Sequence, residues 1–299
     1  MSVATEQLHV KTPHVSVMAA QTWEGLALRQ GAWCVDGTFG AGGHARLLLG
    51  RGVNVAAIDQ DPAALDYATA IGAEALPGEL RFAAGNFRDM EGLVAALGVD
   101  EVHGVLLDLG VSSMQLDEDD RGFAFRKDGP LDMRMGTEGP SAADVVNDYS
   151  FEDLAAIIFR FGEERHSRRV ARRIVEGREA SKITTTSRLA ELVSSAYPPG
   201  PRREHPARRT FQALRIYVND ELGALQEGLE AAARLLEPAG RLVVLSYHSL
   251  EDRIVKQFLK DSPRMAPVHK RPLEPTPEEI EANPRARSAK LRVGEKVAP

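Results

Sequence analysis

The sequence predicts a doubly wound α/β sheet into which a helical domain is inserted. Two observations carry this. In the first third, short and almost wholly apolar segments alternate with helical ones, the pattern of parallel strands covered on both faces. From Gly110 to Arg215 that alternation stops, and strand pattern resumes only at Arg241–Ser246.

The elements follow in order. Ala32–Asp36 reads as the first strand, running into the glycine-rich Gly37–Gly43 and a helix from His44 to Leu49. Asn54–Ile58 is the second strand, ending at Asp59; Pro62 suits the first turn of the next helix, where its missing N–H is no loss. Leu80–Ala83 is the third, with Asn86 and Phe87 just beyond it. A helix over Met90–Leu97 leads to the fourth strand, His103–Leu107, and Asp108. Helices are then expected at Ser141–Val146, with Ser141 as cap, and at Phe151–Phe159, Ser167–Gly177 and Ser187–Ala196. One long helix over Phe211–Leu236 and the turn Pro238–Gly240 precede the fifth strand. Beyond it come helices at Leu250–Leu259 and Pro277–Ala282 and a late strand at Ser288–Val293. Insertions are accepted at loop tips on the ligand side of such sheets, which sets this one over the active site. The resulting division is 1–112, first part of the core; 113–212, the inserted helical substrate-binding domain; 213–299, second part of the core.

The 299 residues suffice for a substantial core, and 43% hydrophobic against 27% charged residues is ordinary globular usage. A single cysteine, Cys34, excludes an intrachain disulfide framework and fits a reducing compartment. No run of 18 apolar residues is present, and Met1–Val10 lacks the apolar centre of a secretory leader, so a cytoplasmic protein without membrane contact is expected. The formal charge of -6 is unevenly spread: residues 1–159 hold 10 basic and 24 acidic side chains, residues 160–215 hold 14 and 6. A basic segment of that kind can focus a field on phosphates even in an acidic protein.

Closely spaced glycines at 37, 40, 42 and 43 let the backbone turn tightly and approach a ligand. The acids Asp36, Asp59 and Asp108 end three strands, and each strand top faces the same crevice. Asp59 is placed to accept from ribose hydroxyls. The loop lacks the G-x-G-x-x-G spacing of a dinucleotide site, and no GxxxxGK[ST] is present. An acid at Asp36 would repel a pyrophosphate but can hold the cationic methionyl end of S-adenosylmethionine, with Phe87 packed on the adenine. A nicotinamide or flavin dinucleotide and a purely structural turn remain alternatives, as does plain core packing for Phe87.

Longer stretches carry a resemblance. They are D-G-T-F-G-A-G-G-H at 36–44, D-L-G-V-S-S-M-Q-L-D at 108–117, R-G-F-A-F-R-K-D-G-P-L-D-M-R-M at 121–135 and G-E-E-R at 162–165. H-P-A-R-R-T-F-Q-A-L-R-I-Y-V-N at 205–219, S-Y-H-S-L-E-D-R-I-V-K at 246–256 and N-P-R-A-R-S-A-K-L-R at 283–292 complete the set. In these the chain resembles the bacterial 16S ribosomal RNA (cytosine-N4)-methyltransferase family, RsmH or MraW. The resemblance implies a class I methyltransferase core using S-adenosyl-L-methionine, acting on a cytidine in the decoding region of 16S ribosomal RNA, within the small ribosomal subunit. It assigns cofactor contacts to the Gly42–Gly43–His44 backbone, Asp59, Phe87, Asp108 and Gln115, beside Asp36 and Gly40 of the loop. Tyr247 stands where the family often has Phe, Arg208 where Thr is common, and Ser16 where the family's H-x-P-V-L segment has proline.

For the chemistry, Asp108 at the fourth strand top can accept from the exocyclic amine, while a cofactor-only role is its alternative. Ser246 and His248 follow the fifth strand; His248 can bind base or phosphate, accept a proton, or simply hold structure. No metal is expected, because the acidic run Asp117–Asp120 lacks ligand spacing. The stretch Asp128–Arg134 resembles family sequence lining the substrate side, although Arg134 can equally pair with Asp132. Arg165, Arg168 and Arg172, with Arg169 and Arg173, recur at helical spacing, and Arg202, Arg203, Arg208, Arg209 and Arg215 form a second cluster. Guanidinium forks match phosphate oxygens, so both clusters are candidate RNA contacts; Glu163, Glu164 and Glu204 are the rival partners. No protein partner is identifiable.

Overall fold

A computed structural model describes residues 16–298 apart from 113, 116, 117, 126, 127 and 203. Asp117, Arg203 and the segment Met1–Val10 named above therefore lie outside the described residues.

The sheet has seven strands: β1 Trp33–Asp36, β2 Asn54–Asp59, β3 Leu80–Ala84, β4 Val102–Asp108, β5 Leu236–Ser246, β6 Met265–Pro267 and β7 Lys290–Lys296. Their order is β3-β2-β1-β4-β5-β7-β6. β1 to β5 pair in parallel, and β7 runs antiparallel between β5 and β6. Alternation of side chains across the pleat separates two cores. Cys34, Val55, Ala57, Leu106, Val243 and Leu245 face one layer, while Val35, Ala56, Ile58, Val105, Leu107, Leu242 and Val244 face the other. All thirteen are buried, as strands covered on both faces require.

The helices of the first half are α1 Ala19–Leu26, α2 Gly43–Leu49, α3 Ala64–Gly72 and α4 Met90–Ala96. Next come α5 Ala142–Asp148, α6 Phe151–Gly162, α7 Ser167–Ala180, α8 Thr186–Ser195 and α9 Arg208–Val218. The last three are α10 Glu221–Leu235, α11 Ser249–Asp261 and α12 Pro277–Ala282. Ser141 caps α5 in a capping box with Asp144, and Ser150 and Thr185 cap α6 and α8 through the N–H groups of Asp153 and Arg188. A third core, distinct from the two that sandwich the sheet, lies within this stretch: Leu131, Met133, Val145, Leu154, Ile158, Val170, Ile174, Leu189 and Leu214 are among its buried members.

Three readings need correction. The single helix over Phe211–Leu236 is two, because Asp220 takes a left-handed conformation (φ 44) and Asn219 leaves the helical path to bond elsewhere. Its amide donates to the Met133 and Arg215 carbonyls and accepts the Met135 N–H at 2.7 Å. The fifth strand starts at Leu236, five residues early, and absorbs the Pro238–Gly240 turn as an irregularity opposite Val102–Gly104. Helix α1 and the three-residue β6 were not foreseen, since neither shows a long apolar period. Among the described residues no helix is long and apolar enough to cross a membrane.

Candidate active site at the strand tops

The tops of β1, β2 and β4 bring their three terminal acids together, as the alternation of the sequence requires. Asp36 is buried and accepts the Thr38 N–H at 3.2 Å. Burial pushes its carboxyl up to about 7; His44 and the Thr38 N–H oppose this, and the charges of Asp108 and Asp59 add to it. Asp59 accepts the Gly40 N–H at 2.7 Å and the Asp61 N–H at 2.8 Å, so it clasps the glycine loop against β2. Burial raises its pKa as well, opposed by those N–H groups. Gly42 sits at φ 75 as the N-cap of α2, and a Cβ there would come within 2.3 Å of Ile71 Cδ1. Only glycine fits both constraints.

Asp108 is the meeting point of the site. The Tyr247 hydroxyl donates to its Oδ1 at 2.7 Å, and His44 Nε2 lies 3.4 Å from its Oδ2. Its own N–H donates to Thr38 Oγ1 at 2.7 Å, tying β4 to the glycine loop. His44 is buried with neither ring nitrogen hydrogen-bonded at good geometry. Burial alone would lower its pKa, but the Asp108 carboxylate and the Asp36 charge raise it above the usual histidine value. Burial raises the Tyr247 phenol well above its ordinary value, and the Asp108 charge and hydrogen bond add to that. The hydroxyl that a buried tyrosine must satisfy has therefore found a carboxylate.

His248 is the N-cap of α11: its Nδ1 accepts the Glu251 N–H, while Glu251 Oε2 accepts the N–H groups of Tyr247 (2.8 Å) and His248 (3.2 Å). Glu251 is buried; burial would raise its pKa, but His248, Arg215 and those N–H groups hold it below the usual carboxylate range. Ser246 is buried and donates weakly to the Lys290 carbonyl at 3.4 Å. The structure also gathers Glu221, His248 and Glu251 within 4.8 Å, a set the sequence spacing did not reveal. Arg215 takes both oxygens of Glu221, at 2.7 and 2.8 Å, so a cation already occupies that corner.

Other expected contacts fall differently. The Phe87 ring lies against α10, where a Cβ on Gly228 would meet Phe87 Cδ2 at 2.4 Å; that is the core-packing placement. Gln115 is buried, donating to Asp61 Oδ2 at 2.8 Å and accepting the Ser112 N–H at 3.0 Å. Asp61 itself escaped the sequence reading. It is buried and held by both Arg121 nitrogens, at 3.2 and 2.9 Å, which pins the loop after β2 to the segment after β4. Its signal was an acid two residues past a strand end, beside the more prominent Asp59.

The basic clusters separate into paired and unpaired members. Arg134 holds Asp132 through two hydrogen bonds, at 2.9 and 2.7 Å, and Arg208 pairs with Glu204. Arg209 donates to the Glu163 carbonyl at 2.9 Å, and Arg173 pairs with Glu176. Arg165, Arg168 and Arg172 are exposed and form no ion pair among the described residues. Arg168 lies over the Phe151 ring at 5.0 Å, and Arg169 and Arg202 over Tyr197 at 5.5 and 4.9 Å. The first turn of α7 holds no acid, so Arg168 and Arg169 stand at the helix end where the dipole disfavours cations. Glu163 reaches across to α11, bonding Ser249 Oγ and pairing with Arg253 at 3.2 Å. The arginine-bearing end of α7 is thus tethered beside the Tyr247–His248 turn.

A model of the MraW methylase family matches residues 11–297. The chain belongs to that family. "Ribosomal RNA small subunit methyltransferase H" of Deinococcus radiodurans is 59% identical over 285 residues, covering 95% of this chain and 90% of that one. The proteins of that name from Deinococcus deserti and Rhodospirillum centenum are 56% and 50% identical, each over 95% of this chain and covering 93% and 92% of their own. The fold is accordingly the class I methyltransferase sheet, with the family's glycine loop and strand-end acids in the places described above.

Proposed function

We propose that the protein transfers the methyl group of S-adenosyl-L-methionine to N4 of a cytidine in the decoding region of 16S ribosomal RNA, in the cytoplasm. Residues 113–212 act as the inserted substrate-binding domain. The observation that supports this best is Asp108, a carboxylate at a strand top with a tyrosine hydroxyl on one oxygen and a buried histidine near the other.

The residues present fit the cofactor. Asp36 supplies a buried anion for the methionyl ammonium, and Asp59 keeps lone pairs for ribose hydroxyls. When bound, the cofactor supplies an electrophilic methyl on a sulfonium. The chain's task is positioning and polarisation. The cytosine amine is a poor nucleophile because its lone pair is delocalised into the ring; an N–H donated to Asp108 localises that pair as the N–C bond forms and the C–S bond breaks. Bound S-adenosylmethionine would supply the methyl and keep the C–S electron pair, and Asp108 would take the proton that N4 sheds. His44 and Tyr247 hold this carboxylate in one orientation. A base within folded RNA must be unstacked to reach it, and the unpaired arginines of α7 hold the phosphates.

The test is a reaction of the purified protein with methyl-labelled cofactor and 16S RNA or small subunits, followed by nucleoside analysis. N4-methylcytidine is expected. Label on carbon 5, on another base, or nowhere would refute the reading.

A further inference from the structure

A cavity of about 360 Å³ opens beside the catalytic turn, among Tyr247, His248, Ser249, Glu274, Arg287 and Lys290. Sheet register explains its location. Ser246 at the end of β5 is paired with Lys290 at the start of β7, so the residues preceding Lys290 run alongside Tyr247 and His248. These belong to the N-P-R-A-R-S-A-K stretch at 283–290, which the cofactor site and the α7 arginines leave without a task.

We propose that this cavity holds the 5′-phosphate and ribose of the target cytidine, with Arg287 as the phosphate ligand. The assignment rests on the methyltransferase reading above and deepens it.

Four features agree. Tyr247 lines the cavity and donates to Asp108, so a single side chain separates a nucleotide seated there from the carboxylate at the strand top. The volume lies within the range of small-molecule sites, and suits one nucleotide and not a helix of RNA. His248 Nε2 is buried and makes no hydrogen bond of good geometry, although Glu251 Oε1 stands 3.0 Å away. The cavity also borders the start of the 13-residue α11, whose N-terminal end favours an anion. The acids of that first turn are already engaged: Glu251 with Tyr247 and His248, Asp252 with Arg292 at 2.7 Å and Lys290 at 3.4 Å.

Lys290 is therefore partly neutralised. Arg287 is exposed and forms no ion pair among the described residues, which leaves it as the cation able to take a phosphate. Glu274, also in the lining, disfavours a second phosphate, so the site accommodates a monoester or a single diester link.

The test uses the full chain saturated with S-adenosylhomocysteine and compares cytidine, cytidine 5′-monophosphate and adenosine 5′-monophosphate by NMR titration. The cytidine monophosphate should bind about tenfold more tightly than cytidine, the worth of one charge-assisted hydrogen bond. Arg287→Glu should abolish that difference while leaving S-adenosylhomocysteine affinity and the melting temperature unchanged. Three results overturn the proposal: no gain from the phosphate, an Arg287→Glu protein that binds the monophosphate as the unmutated one does, or adenosine monophosphate bound as tightly as the cytidine nucleotide. Binding is read without turnover. A protein that passes this test yet methylates no RNA would count against the proposed reaction and not against the site.

Discussion

The Tyr247 hydroxyl donates a 2.7 Å hydrogen bond to Asp108 Oδ1, joining the tops of the neighbouring strands β4 and β5 where the sequence places the chemistry. Because the bond is to a charge, Tyr247→Phe should lower stability by about 1.5–3 kcal/mol. The resemblance puts Phe at this position in many relatives, so methyl transfer should stay within a few-fold. Urea unfolding and single-turnover rates check the two halves separately. A large rate loss with unchanged stability would make the hydroxyl a participant in the chemistry.

Asp36 makes cofactor binding depend on pH. Its carboxyl stands at about 7 in the free protein, raised first by burial. A methionyl ammonium beside it favours the ionised form, so binding below that value must expel a proton. Affinity for S-adenosylhomocysteine should fall as pH drops below about 7, by at most about tenfold per unit. Calorimetry in buffers of different ionisation heat would show the released proton, and a flat affinity between pH 5.5 and 8 would contradict this placement.

Stability without ligand follows from the same group with the opposite sense. A raised carboxyl binds more protons folded than unfolded, so its cost appears as pH rises above the unfolded value near 4 and is complete above about 7. Asp36→Asn should therefore raise the melting temperature of the free protein at pH 8 and lose that advantage towards pH 4. The stabilisation has an upper limit of about 4 kcal/mol. The variant should bind cofactor more weakly at every pH.

Arg121, half-buried, and Asp61, buried, form a bidentate pair between the loop after β2 and the segment after β4. Arg121→Ala strands a buried carboxylate with only Gln115 and the Ala63 N–H as partners, and should cost about 3 kcal/mol by urea unfolding. An effect below about 1 kcal/mol would mean that the pair is solvated.

Arg168 and Arg172 are exposed on α7 and form no ion pair among the described residues. Reversing both to Glu should weaken RNA binding and flatten its dependence on log salt, because fewer counterions are released. Cofactor affinity should hardly move. An unchanged salt slope would make these arginines a solvated face.

What was legible follows from periodicity. Strands β1, β2 and β4 announced themselves by apolar runs ending in Asp36, Asp59 and Asp108, and those ends are within two residues of the observed ones. Ser141 and the Pro277 helix were readable because caps and N-terminal prolines act locally. The break at Asn219–Asp220 was not, since it depends on the Met133 carbonyl and the Met135 N–H, which only the fold brings near. The same holds for the site. Strand-end acids are visible along the chain, whereas the Asp61–Arg121 and Tyr247–Asp108 contacts span 60 and 139 residues and have no sequence period. Phe87 shows the limit: its position past β3 is legible, but the direction of its ring depends on Gly228 in a distant helix.

The most direct test of the account is the single-turnover rate of methyl transfer by Asp108→Asn, at saturating cofactor and RNA. The change keeps the side chain's size and one acceptor but removes the charge that takes the N4 proton. The account predicts a large fall in rate that added cofactor does not restore, with RNA affinity unchanged. A rate equal to the unmutated enzyme's once cofactor is saturating would confine Asp108 to cofactor binding and contradict the mechanism.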